Sequence, residues 1–325
     1  MKRVILALAV LALAIPSMVL AKPAAKSCDR DCLKALADTY VAAMVAHDPK
    51  QAPLAANLIT VENLKRIQPG EGLWKSLSGG ASNFKIVVPD PVAQQVGYMA
   101  ILQEAGKPIQ VGLRLKLENG KIVEAEHLVV HQLMENNLKN LQTPRAAFTR
   151  TVPDGYRDSR GRLLTIAASY YDALDENNGS LAPFADDCAR FENGLQTARN
   201  PIPVDPEKSP FNILGSLGCA AQLDTQLFTY ITKIDNRRVW IADEETGIAF
   251  GLSHFRHAQV TKKERIIGVP GVEERTINND AFDLPAIHIY KIWGGKIHEI
   301  EAMGFVAPYQ SPTGWEQTTA GHQPE

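Results

Sequence analysis

Apolar side chains recur every three or four positions in two places along the chain. They stand at Leu33, Leu36, Ala37, Tyr40, Val41 and Met44, and again at Leu163, Ile166, Ala167, Tyr170 and Leu174. That period lays an apolar stripe along one side of a helix, and it predicts an amphipathic helix at each place. Downstream the pattern changes to alternation and short apolar runs. "FKIVVPD", "QVGYMAIL" and "VGLRLKLENGKIVEAEHLVV" follow the first helix, and "RRVWIADEETGIAFGLSHF" and "AIHIYKIWGGKIHEIEAM" follow the second; all read as strands. Asn119-Gly120 and Gly294-Gly295 supply the positive φ of tight hairpin turns. Helices first and antiparallel strands afterwards is the order of an α+β layer fold, not of alternating βαβ units. Between each opening helix and its strands a short second helix is expected, ending at Glu62-Asn63 and at Glu192-Asn193.

The two halves are copies of one unit. A shift of 130 positions places Leu33 on Leu163, Ala37 on Ala167, Tyr40 on Tyr170, Pro53 on Pro183, Glu62 on Glu192 and Asn63 on Asn193 without a gap. Farther on, "KLENGKIVEAE" matches "KIWGGKIHEIE" at a shift of 175, so the second unit holds about 45 extra residues. They fall in two insertions, at 200–218 and 260–283, and loops that long are usually lids or partner contacts. The expected organisation is a first unit at 28–131, a polar linker at 132–160 with one helical turn near 133–141, a second unit at 161–307 and a flexible tail at 308–325. Within the duplicated phrase, "PLAANLITVENL" became "PFADDCARFENG", and only the second copy carries Asp186, Asp187 and Arg190.

Residues 1–21 run from Lys2 and Arg3 through an apolar stretch to Val19-Leu20-Ala21. They read as a secretory signal cleaved after Ala21, because Pro16 and Ser17 interrupt the run before the roughly 20 residues that a membrane span needs. A periplasmic or secreted protein with no membrane attachment after cleavage is therefore expected. The net charge of −2 shows no basic cluster, which gives no nucleic-acid footprint. Cys28, Cys32, Cys188 and Cys219 are even in number, and in an oxidising compartment local pairing of Cys28 with Cys32 and of Cys188 with Cys219 is expected among the three connectivities. Metal ligation is disfavoured because no second Cys/His pair stands at zinc spacing.

A helix with Tyr-x-x-Ala, the "FADD" phrase, a carboxylate five to seven residues on and a last hairpin with Gly-Lys-Ile together resemble the nuclear transport factor 2-like superfamily. Within it the likeness is to SnoaL-like cyclases and ketosteroid isomerases, and it covers most of both units. The resemblance implies two tandem cones, each a curved antiparallel sheet wrapped round N-terminal helices, with an apolar pocket at the mouth. It also implies a sheet face that single-unit relatives use to dimerise, so a monomer with an internal pseudo-dimer or a homodimer is expected. The isomerase branch sets a Tyr, a carboxylate base and a protonated strand acid round the pocket. By position these fall on Tyr170, Glu192 and His288; the first unit offers Tyr40, Glu62 and Leu113, and so lacks the third group.

A carboxylate in an apolar cavity becomes a competent base near neutral pH, and a phenol and an imidazole N–H aimed at one oxygen would stabilise an enolate. The expected function is a cofactor-independent isomerase or lyase on a small apolar carbonyl or aromatic compound, acting in the second unit with no cofactor and no metal. Asp187, Arg190, Asn193, Tyr230, His254 and Glu301 are the candidate substrate contacts. Other readings stay open: Glu192 paired with Arg190 or capping a turn with Asn193, Tyr170 and His288 as core, Glu299 and Glu301 as a solvated face. His254 and His257 take opposite faces of a strand, and His254 is expected to be the one that faces the pocket. The alternative function is a secreted small-molecule-binding protein of the same fold, favoured if Glu192 is exposed or locked to Arg190.

Overall fold

A computed structural model describes residues 27–201, 210–259, 263–277 and 280–316. The expected leader, parts of both insertions and the end of the tail lie outside the described residues.

The first unit opens with α1 (Arg30–Val45). Asp29 caps it by accepting the Cys32 N–H at 2.9 Å, a standard way to satisfy a free helix donor. Its buried face is the predicted stripe, with Leu33, Ala37, Tyr40, Val41 and Met44 inward. Strands β1 (Leu54–Glu62), β2 (Lys65–Ile67), β3 (Lys85–Asp90), β4 (Gln95–Glu104), β5 (Lys107–Glu118) and β6 (Lys121–Val130) follow. The second unit repeats this with α2 (Arg160–Asp175), β7 (Phe184–Glu192), β8 (Leu195–Ala198), α3 (Cys219–Asp224), β9 (Lys233–Asp243), β10 (Ile248–His257), β11 (Phe282–Trp293) and β12 (Lys296–Gly304).

Both sheets follow one plan. The first runs β2-β1-β6-β5-β4 with β3 added on β4, and the second runs β8-β7-β12-β11-β10-β9. In each, the strand after the helix lies parallel to the last long strand, and the remaining pairings are antiparallel. Each opening helix packs on the concave face of its own sheet and closes a separate core. The result is two tandem α+β units, as the order of elements predicts.

The expected second helices do not form. Residues 54–62 and 184–192 are strands, because in the second copy Cys188 and Arg190 point inward two apart while the residues around them are less buried, which is strand periodicity. The phrase ends in a hairpin turn instead of a helix terminus: Asn193 and Gly194 take φ of 46° and 79°. Asn193 also explains why the Glu-Asn pair occurs twice. Its amide donates to the Gly304 carbonyl at 2.9 Å and accepts the Gly304 N–H at 3.0 Å. Asn63 does the same to Val129, so each copy uses its Asn to lock the turn to the last strand.

A third core joins the two sheets face to face. Ile86, Met99, Ile101 and Leu128 meet Phe250, Leu252, Ile287 and Ile289 there. The faces approach so closely that a Cβ on Gly97 would sit 2.5 Å from the Phe250 ring. The linker forms helices at Glu135–Asn140, within the expected turn, and at Ala146–Thr149, and Phe148 enters the shared core. Both disulfides pair locally, Cys28 with Cys32 and Cys188 with Cys219.

The tail is not free as far as Glu316. Arg66 donates to the carbonyls of Gly314 and Glu316 at 3.0 and 3.2 Å, and the Trp315 ring packs 5.1 Å from the Arg114 guanidinium. Among the described residues no helix is long and apolar enough to cross a membrane.

Candidate functional site

The concave side of the second sheet is not filled. A cavity of about 270 Å³ lies between α2, the end of β7 and the middle of the sheet, walled by apolar groups such as Phe228, Ile231, Phe255, Leu284 and Ala286. Tyr170 from α2, Glu192 from the end of β7 and His288 from β11 all line it. Arg190, Asn193 and Tyr230 line it as well.

Arg190 organises the polar side. It is 1 % exposed, and its Nε donates to Glu192 Oε1 at 2.6 Å and to Thr197 Oγ1 at 3.1 Å. Its Nη2 donates to Gln222 Oε1 at 2.5 Å, and the guanidinium lies 5.0 Å from the Phe228 ring. Gln222 is itself fixed by donating to the carbonyls of Thr197 and Leu214 at 2.7 and 2.8 Å. It belongs to α3, which the Cys188–Cys219 disulfide ties to β7 two residues before Arg190. Three N–H groups remain, two of them on the buried Nη1, which makes no hydrogen bond of ordinary geometry; the Tyr170 hydroxyl is the side-chain partner nearest to them. The Tyr170 phenol feels the same charge, which opposes the upward push that burial gives its pKa.

Glu192 is half exposed, at 46 % for its side chain, and one of its oxygens is held by Arg190 and Thr197. The pair therefore brings one positive and one negative charge to the cavity wall. His288 is 4 % exposed; burial, with the Arg190 charge second, pushes its pKa down to about 3. Its imidazole is neutral at physiological pH, and the Tyr171 hydroxyl lies 3.4 Å from Nδ1.

Three of the candidates point elsewhere. His254 lies on the opposite face of β10, where the strand's even-numbered residues Phe250 and Leu252 meet the other sheet, and it sits 3.7 Å from Asp283. His257 lines the cavity in its place, held between Tyr230 and Phe282 with ring centroids 5.3 and 4.0 Å away. Glu301, on the other face of β12, is buried beneath Arg145 at 3.4 Å, so neither it nor Glu299 forms a solvated face. Asp187 is on the outside of β7 and pairs with His298 at 2.7 Å.

The insertions build a second chamber. A crevice of about 330 Å³ adjoins the first, sharing Arg190, Glu192, Thr197, Phe228 and Tyr230 with it. Leu214 and Gly215 from the first insertion and Arg275 from the second close its outer side. Arg275 is paired with Glu264 at 3.0 Å and lies 4.3 Å from the Tyr230 ring.

The first unit uses the matching space differently. The Tyr40 hydroxyl lies 2.9 Å from His127 Nε2, and His127 Nδ1 lies 3.0 Å from Glu62 Oε2. Both Glu62 oxygens also accept the Leu73 N–H, and Trp74 packs edge-on against Tyr40 at 5.3 Å. His127 stands where the repeat places Ala302 in the second unit, opposite the Glu of its partner strand in each case. A His there closes the first unit's interior, and an Ala there leaves the second unit's open. The sequence carried this signal: aligning the Gly-Lys-Ile hairpins pairs His127 with Ala302 directly.

Among the described residues no group of three or more His, Cys, Asp or Glu side chains is placed to hold a metal ion. In sequence, residues 156–304 match a family model described as a domain of unknown function, DUF8021. No curated protein matches the chain. Solved structures with a partial likeness include an NTF2-like protein of unknown function from Cytophaga hutchinsonii, 15 % identical, covering 30 % of this chain and 88 % of its own with a TM-score of 0.24. A candidate polyketide cyclase from Silicibacter sp. TM1040 is 13 % identical over 44 % of this chain and 88 % of its own, with a TM-score of 0.27. A candidate ketosteroid isomerase from Kribbella flavida is 13 % identical over 38 % of this chain and 93 % of its own, with a TM-score of 0.26. Likenesses this faint say nothing of what the chain binds. The family match falls on the unit with the open cavity.

Proposed function

We propose that the second unit binds a small, largely apolar, uncharged molecule through a carbonyl or hydroxyl oxygen. The observation that carries this reading is the buried Arg190 guanidinium, whose Nη1 has no acceptor of ordinary geometry and only the Tyr170 hydroxyl beside it, at the edge of an apolar cavity. A buried donor left unpaired costs about 1 to 3 kcal/mol, and a ligand oxygen would supply its partner. Charge complementarity favours a neutral ligand, because Glu192 already balances Arg190 and His288 stays neutral. Apolar walls with a few convergent polar groups are the usual make-up of a small-molecule site.

A second reading has its own support. Tyr170, Glu192 and His288 line one cavity, which fits a cofactor-free isomerase or lyase with Glu192 as base. Against it, Glu192 is not desolvated and one of its oxygens is engaged. The deciding experiment is calorimetric binding of a panel of ketones, enones and phenols, together with solvent deuterium exchange into the same compounds. Binding that weakens about tenfold or more in Arg190→Met, without exchange, supports the binding function. Exchange that Glu192→Gln abolishes would transfer the site to catalysis, and a panel that neither binds nor exchanges would defeat both readings.

A further inference from the structure

A larger cavity, of about 450 Å³, lies away from this site, under the linker that joins the two units. Its roof is the helix Ala146–Thr149 with the following residues through Tyr156, and its floor is the outer end of the second sheet, where Lys291, Trp293 and Glu299 stand.

Lys291 is the unusual group there. It is 3 % exposed, and its Nζ donates to the carbonyls of Arg150, at 2.7 Å, and Thr246. Those bonds use two of its three N–H groups. Among the described residues no carboxylate forms an ion pair with it. The two acids whose fields reach it are committed elsewhere: Asp243 holds Arg30 at 2.7 Å, and Glu299 holds Arg145 at 2.8 Å. A buried cation without a counter-ion is costly. The exposed Arg150 at the rim has no ion-pair partner among the described residues either. Lys291 Nζ also lies 6.0 Å from the centre of the Trp293 ring, so what it lacks is an anion, and among the described residues two cations without a counter-ion border one cavity whose carboxylate is already engaged.

The walls indicate the rest of the ligand. Trp293 is held flat by His298, with ring centroids 3.3 Å apart and planes 6° from parallel. His298 is in turn oriented by Asp187, the exposed acid that distinguishes the second copy of the duplicated phrase. Tyr156 and Pro153 complete an apolar surround.

We infer that this cavity binds a small organic carboxylate with a planar body, its anionic group on Lys291 and Arg150 and its ring against Trp293. The site is independent of the one proposed above, with which it shares no residue.

The test uses the full chain with 2-naphthoate as probe and neutral 2-naphthamide as its match in shape. Calorimetry is expected to show naphthoate binding with one-to-one stoichiometry and the amide binding at least about tenfold more weakly. Lys291→Met is expected to weaken naphthoate at least about tenfold, and the surface variant Arg150→Ala about threefold or more. Reductive methylation of Lys291, followed by peptide mass, is expected to slow when naphthoate is bound, which locates the anion without any variant. Equal affinity for the amide, binding indifferent to both substitutions, or methylation unchanged by saturating naphthoate would each overturn the inference.

Discussion

Asp90 of the first unit accepts both carboxylate-oxygen contacts from Arg160 Nε of the second, at 2.8 and 3.0 Å. Asp243 of the second unit holds Arg30 of the first through two bonds of 2.9 and 2.7 Å. Arg30 and Arg160 open equivalent helices, and the two acids end equivalent strands. The contact is reciprocal, as across a two-fold axis, although both partners belong to one chain.

Asp90 is fully buried and also accepts the Ala242 N–H at 3.0 Å. Asp90→Ala would leave that N–H and one face of Arg160 unanswered, and it is expected to cost about 3 kcal/mol. Urea unfolding of the variant checks this. A single cooperative transition shifted to lower urea is the expected result, with both units still unfolding together.

Gly97 lets the two sheets touch. A Cβ at that position would lie 2.5 Å from the Phe250 ring, and an aromatic ring packed in a core has little room to yield. Gly97→Ala is expected to destabilise by about 2 kcal/mol, and Phe250→Leu in the same chain to recover part of the loss. Additive losses in the double variant would contradict this.

The Cys188–Cys219 bond, with a sequence separation of 31, ties down the helix that carries Gln222. Replacing both cysteines with Ala is expected to cost about 3 to 4 kcal/mol through the freed unfolded chain. It should also weaken ligand binding in the Arg190 cavity, because Gln222 holds the guanidinium. Gln222→Leu with the disulfide intact separates the two effects: affinity should fall with a smaller loss of stability.

Acid is expected to destabilise the protein below about pH 6.5. Burial holds His288 near 3 and His257 near 4, so both stay neutral in the fold. The unfolded chain takes up their protons as the pH falls, and stability is lost from about 6.5 downward. Glu301 works the other way: burial raises its pKa to about 7, so the folded protein binds its proton earlier and gains stability as the pH falls from 7 to 4.5. Burial also lowers the His254 pKa and raises that of Glu299, so three imidazoles outweigh two carboxyls, and the acid limb should steepen once the carboxyls are protonated in both states. His288→Leu should flatten that limb in urea midpoints measured from pH 8 to 4.

The two opening helices and the hairpins were legible because each rests on a short-range period or a turn residue, and the common plan of the two sheets because the same phrases recur. The Glu-Asn phrase misled because a nine-residue strand with mixed burial carries little alternation, while Pro183 and the small residues after it suit a helix start. The Asn-Gly turn that ends it was the better signal. Which histidine faces the cavity depended on strand parity, and parity is set by pairing with the far side of the sheet. Lys291 and Glu301 were illegible as buried groups because what covers them is the linker, which the sequence shows only as polar.

The reciprocal contact has a consequence for substitution. Two identical subunits would carry every change at both sites at once. Because both partners here belong to one chain, a change at Asp90 leaves Asp243 as it was, and a change at His127 leaves Ala302 as it was. The closed interior of the first unit and the open interior of the second can therefore be altered one at a time.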